Sequence, residues 1–189
     1  HDIATKPAQA AHRFEYLTGG EKDPYDVFDY ISGCIEASRS DSMYFILVGN
    51  PSRFDKNPSW KNKEYRKLIT TIAGKTRIGL HASFRAGSES LSLNTELKRL
   101  REITGSDITK SRFHCLKHVI PDSYINILQT GICEDYSMGY HNQPGFRAGI
   151  ARPYRFYSLR EDRSSDLRII PYQFTDISLT SKQELTHEA

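Results

Sequence analysis

Apolar residues recur at three-and-four spacing in several stretches of the chain and gather into short unbroken runs between them. This pattern lays out the elements. Val27, Phe28, Ile31, Cys34 and Ile35 predict a helix over 25–37, opened by Pro24. Tyr65, Leu68, Ile69 and Ile72 predict a second over 62–73. Leu93, Leu97, Leu100 and Ile103 predict a third over 92–104, with Gly105 in the place of a C-cap. A fourth is expected over 121–130, ending at Gly131. Between them, 43–48 (MYFILV) is a continuous apolar run bounded by turn residues, as expected of a strand buried on both faces. Shorter strands are expected at 77–81 (RIGLH), 111–116 and 132–136, and 49–60 is a polar loop with two prolines. Beyond them, 145–150, 155–159 and 167–174 are strand candidates. Residues 180–189 open like a helix, with Ser181 and Glu184 in capping-box spacing. Strand and helix alternate through the centre, which predicts βαβ units and a parallel sheet within one domain over 1–189.

Composition narrows the function classes. The chain has 189 residues, 38% hydrophobic and 26% charged, as a globular domain does. Its 26 basic and 23 acidic residues are intermixed, with a formal net charge of +3 and no long basic run, so a nucleic-acid partner is not expected. Cys34, Cys115 and Cys133 are odd in number and lack CxxC spacing, which argues against a disulfide framework and a thiolate zinc site. No run is long enough to span a bilayer and no secretory segment is read in the chain, which leaves the location open and favours the cytoplasm only by that absence. The eleven Tyr and nine Phe matter more, because sugar clefts often use aromatic faces.

Ligands of such sheets bind where the carboxyl ends of the strands open. That rule selects the polar residues at the predicted strand ends: His81 in RIGLH, Arg112 and His114 in SRFHCL, and Asp135 in ICED, with Asp2 in the opening HDIA. A carboxylate with two imidazoles is a plausible set for zinc or a related divalent metal with positions left open for water.

The residues that carry a family likeness follow in order: Lys22-Asp23-Pro24-Tyr25-Asp26-Val27-Phe28-Asp29-Tyr30, Ile78-Gly79-Leu80-His81-Ala82-Ser83-Phe84, Thr109-Lys110-Ser111-Arg112-Phe113-His114-Cys115-Leu116, Gly131-Ile132-Cys133-Glu134-Asp135-Tyr136-Ser137-Met138-Gly139-Tyr140 and Gly145-Phe146-Arg147-Ala148-Gly149. From 23 to 179 the chain resembles a divergent bacterial branch of the polysaccharide deacetylase-like proteins, which have a NodB-homology fold (carbohydrate esterase family 4-like). The resemblance implies an α/β fold, a distorted (β/α) barrel of about seven strands, here short of its first strand and its last strand-helix unit. It also implies a zinc-dependent hydrolase that removes N-acetyl groups from sugar polymers or glycan precursors, with a carbohydrate as its partner.

Roles follow position by position. Typical members open with an Asp-Asp pair of base and metal ligand, and Asp2 takes one of these roles. A His-Ser-x-x-His motif supplies two further ligands. His81 is the first, while Phe84 stands in the place of the second and cannot ligate. His114 lies in the strand that usually carries Arg-x-Pro-Tyr and is expected to replace the lost ligand, giving Asp2, His81 and His114 as the metal set. Arg112 matches the arginine of that motif and would orient the base. Asp135 matches the aspartate of the next strand, and Arg147 would hold a carboxylate or a substrate oxygen. Two departures are visible. Ala4 stands where the branch has its second aspartate, and the terminal Leu-x-His, whose histidine serves as general acid, is matched only by Leu185-Thr186-His187 within the predicted last helix. They motivate an alternative reading: a catalytically degenerate deacetylase fold that binds glycans or acts as a scaffold.

Overall fold

A computed structural model describes residues 26–180. The chain divides into two compact units, 1–42 and 43–189. In the first, helix α1 (Phe28–Ser38) half-buries Phe28, Ile31 and Ile35, three of the five positions that the helical spacing singles out, and leaves Val27, Cys34 and Tyr30 exposed.

The second unit is built on six strands: β1 (Met43–Ile46), β2 (Arg77–Ala82), β3 (Lys110–Phe113), β4 (Glu134–Asp135), β5 (Tyr154–Ser158) and β6 (Arg163–Ile169). They form one sheet in the order β1-β2-β3-β4-β6-β5. All pairings are parallel except the β5–β6 hairpin. Helices α2 (Lys63–Lys75), α3 (Ser90–Thr104) and α4 (Asp122–Leu128) make the crossovers between successive parallel strands, as parallel pairing requires. A last short helix, α5 (Asp176–Thr180), follows β6.

Local chemistry sets these boundaries. Asn62 caps α2, its side chain accepting from Tyr65 N–H at 3.0 Å. Gly105 ends α3 at φ 65°, a left-handed conformation that a side chain would strain. The inward stripe of α3 (Leu93, Leu97, Leu100 and Ile103) packs into a core with Val48, Ile69, Leu80, Phe113, Ile127, Leu167 and Ile169. Each such side chain contributes about 1.5–3 kcal/mol by leaving water. Gly79 in β2 has no room for a Cβ, because the Phe45 ring and the Lys110 carbonyl lie across it.

Four expectations shift. The stretch 145–150 is irregular rather than a strand, with Gly145 and Gly149 at φ 129° and 68°. The last strand begins at Arg163 rather than 167, because a tight turn through Asp162 (φ 50°) pairs Ser158 with Arg163. It stops at Ile169, just before Pro171, which has no N–H to give the ladder. The third strand ends at Phe113, and 114–116 turn away from the sheet with Cys115 and Leu116 at φ 53° and 51°. A barrel of about seven strands was the expectation. Among the described residues the sheet has six strands and is open, with β1 and β5 at its edges.

Candidate functional site

The parallel ladder lines up the carboxyl ends of β1 to β4 and β6, and the β2–β3 register sets His81 beside Arg112. His114 follows one residue past the end of β3. The two imidazoles meet edge to face, with ring centroids 5.1 Å apart and planes at 60°.

Each ring is held by its Nδ1. His81 Nδ1 lies 2.9 Å from the Arg112 carbonyl oxygen. A carbonyl only accepts, so Nδ1 carries the hydrogen and Nε2 keeps its lone pair. Burial drops the His81 pKa to about 4, although the bond to Arg112 opposes the fall, so the ring is neutral at pH 7. His114 Nδ1 lies 2.8 Å from Asp55 Oδ1.

Asp55 is almost fully buried. The same Oδ1 accepts from the Phe84 N–H at 3.0 Å, and Oδ2 accepts from the Ser52 hydroxyl at 2.7 Å. Burial alone would raise this carboxyl, but the bonds from Phe84, Ser52 and His114 hold it below the ordinary carboxylate value. An ionised Asp55 fixes His114 with Nδ1–H inward and Nε2 free, the carboxylate–histidine arrangement that orients metal ligands. Sequence reasoning passed over Asp55, which lies in the polar loop after β1. The strand-end rule, applied to that loop as well as to strand termini, would have reached it.

The other predicted residues lie around this pair. Arg112 stacks its guanidinium over the Tyr172 ring at 4.4 Å. Tyr172 in turn covers Gly139, where a Cβ would fall 2.2 Å from the ring. The charge on Arg112 reaches both His81 and Asp135. Asp135 is fully buried at the end of β4, where it accepts from the Ser111 hydroxyl and from the N–H and hydroxyl of Ser137. Burial pushes its pKa up to about 6, against the lowering effect of these bonds and of Arg112. With its oxygens spent on Ser111 of β3 and on Ser137 just past β4, Asp135 braces the ends of the two strands. Arg147 is exposed in the irregular 145–150 segment, and its charge acts on the hydroxyls of Tyr124, Tyr154 and Tyr172. Phe84 stacks on Phe54 with centroids 4.0 Å apart, beside Asp55.

The structure therefore brings His81, His114 and Arg112 together and adds Asp55. Asp2, Ala4 and His187 lie outside the described residues. Among the described residues no group of three His, Cys, Asp or Glu side chains could hold a metal ion. None of the helices among the described residues is long and apolar enough to cross a membrane.

No protein-family model matches the chain, and no curated protein matches it. Two crystal structures share its fold. One is a "putative polysaccharide deacetylase" from Mycobacterium smegmatis, with a TM-score of 0.55, 16% identity and 91% of this chain covered. The other, from Bordetella bronchiseptica, is a "putative polysaccharide deacetylase" involved in O-antigen biosynthesis, with a TM-score of 0.51, 16% identity and 86% of this chain covered. The chain spans 54% of the first and 59% of the second. At that identity the likeness establishes the fold.

Proposed function

We propose that this chain belongs to a metal-dependent hydrolase that removes N-acetyl groups from sugar polymers or glycan precursors. One observation carries the reading: two neighbouring imidazoles at the carboxyl ends of adjacent parallel strands, each with Nδ1 tied down and Nε2 free. The likeness in fold to two proteins described as deacetylases supports it. In this reading the open sheet is part of a distorted barrel.

The donor set suits zinc. His81 is neutral and needs no deprotonation to ligate, and His114 is oriented by the Asp55 carboxylate. Asp2 is the proposed third ligand and the base that takes a proton from water. A divalent ion, when bound there, polarises the acyl carbonyl and makes water acidic enough to attack it near neutral pH. The chain's other residues position and balance charge. Arg112 orients the base and steadies the rim through Tyr172. Arg147 holds a carboxylate or carbonyl oxygen of the substrate. In the reaction the C–N bond of the amide breaks, acetate leaves with the oxygen of water, and the sugar amine takes up a proton.

Two measurements test this together: metal content of the purified protein and acetate release from chitooligosaccharides or peptidoglycan fragments. Stoichiometric zinc that is lost in His81→Ala and His114→Ala, with acetate release lost as well, is the expected result. No bound metal under any condition would overturn the proposal. A glycan-binding module without turnover is the second reading, favoured by Phe84, which stacks on Phe54 where the resembled motif has a ligand. Glycan binding unaffected by a chelator, with no acetate released, would select it.

A further inference from the structure

Helix α3 turns five buried residues toward the core: Leu93, Glu96, Leu97, Leu100 and Ile103. A carboxylate in such a stripe is costly, and burial raises the pKa of Glu96 against the lowering effect of its hydrogen bonds. A leucine at the same position would complete the stripe but leave the buried Ser83 N–H without an acceptor. What the carboxylate does instead is seize one residue. Oε2 accepts the Ser83 N–H at 2.9 Å, and Oε1 accepts the Ser83 hydroxyl. The same hydroxyl oxygen accepts the Ala86 N–H at 3.2 Å, closing the turn that follows β2. The next residue, Phe84, gives its N–H to Asp55 Oδ1, the oxygen that holds His114. The loop after β1 presses on this junction. A Cβ at Gly49 would stand 2.8 Å from Ser83 Cβ and 2.9 Å from Glu96 Oε1.

We propose that Glu96 is a positioning residue for the His81–His114 pair. By fixing Ser83, two residues beyond His81, it aims the Phe84 N–H at Asp55, and through Asp55 it sets the tautomer and tilt of His114. This rests on the reading of the two histidines as metal ligands, but the geometry it invokes exists without metal.

The test compares wild type, Glu96→Leu and Glu96→Gln in metal-free, 15N-labelled protein by NMR, and then by titration with zinc alone. Leucine suits the stripe but leaves the buried Ser83 N–H without an acceptor, so E96L is expected to keep the fold and to melt somewhat below the wild-type temperature. It should nonetheless lose the exchange-protected His114 Nδ1–H signal and bind zinc about tenfold or more weakly. E96Q can accept from the Ser83 N–H and donate to its hydroxyl, so it should keep the signal and the wild-type affinity. An E96L protein that keeps the His114 signal would overturn the proposal. If wild type binds no zinc, the metal reading falls, and the His114 signal alone decides whether Glu96 positions the ring. If E96L does not fold, Ser83→Ala takes its place. A weakened His114 signal supports the link, and an unchanged one refutes it.

Discussion

Asp135 titrates against the fold. Its carboxyl rises from an ordinary 3.8 to about 6 because burial disfavours the charge. The folded chain thus holds this proton more tightly than the unfolded one. The stabilisation is complete below 3.8 and is lost as the pH climbs through about 6, which amounts to about 3 kcal/mol. Asp135→Asn should flatten that dependence, as read from urea unfolding at acidic and neutral pH. An unchanged slope would mean that another group is responsible. Asp55 acts in the opposite sense, since its carboxyl is held low and it anchors His114. Asp55→Asn should weaken zinc binding by about 10–100-fold, as loss of a ligand's orienting partner does, measured by competition with a chromophoric chelator. His81 and His114 stood out in the sequence because each lies at the carboxyl end of an expected strand. Asp55 and Glu96 were not, because what each holds is set by segments that meet only in three dimensions. An isolated aspartate in a polar loop and a glutamate on a helix look the same as solvated ones.

Among the elements, α3 carries the most of the core. Leu97 is 2% exposed, and Leu97→Ala should cost about 2–5 kcal/mol by leaving a cavity, seen as a lower denaturant midpoint with an unchanged slope. Gly105→Ala isolates a different term. Nothing lies within 4 Å of the added carbon, so its cost of about 1 kcal/mol is conformational alone. The helices were readable because their apolar residues repeat at helical spacing and their ends carry Asn62 and Gly105. The hairpin was read late. Arg163-Ser164-Ser165-Asp166 offers no apolar alternation, and only pairing with β5 makes it a strand. The turn at Cys115 and Leu116 was equally hidden, since two side-chain-bearing residues in left-handed conformation have no sequence signature.

At the scale of the molecule, every core-cluster residue among the described residues lies between Ile46 and Ile169. A chain starting at Met43 should therefore unfold cooperatively by circular dichroism. A broad, non-cooperative transition would show that the first unit is needed for that core. The alternation of strand and helix announced a mixed α/β fold with parallel pairing. The curvature of the sheet depends on strand twist and edge pairing, which apolar spacing does not encode. The parallel ladder also governs time. Three of its pairings wait for a helical crossover to be spanned and the β4–β6 pairing for a long connection through β5, which places such chains among the slower folders. Asp55 and His114 are 59 positions apart along the chain and meet only once β1, β2 and β3 are docked. No early intermediate can hold the imidazole pair in place. In a refolding experiment, the capture of zinc would lag behind the return of helical signal and mark the final docking of the strands.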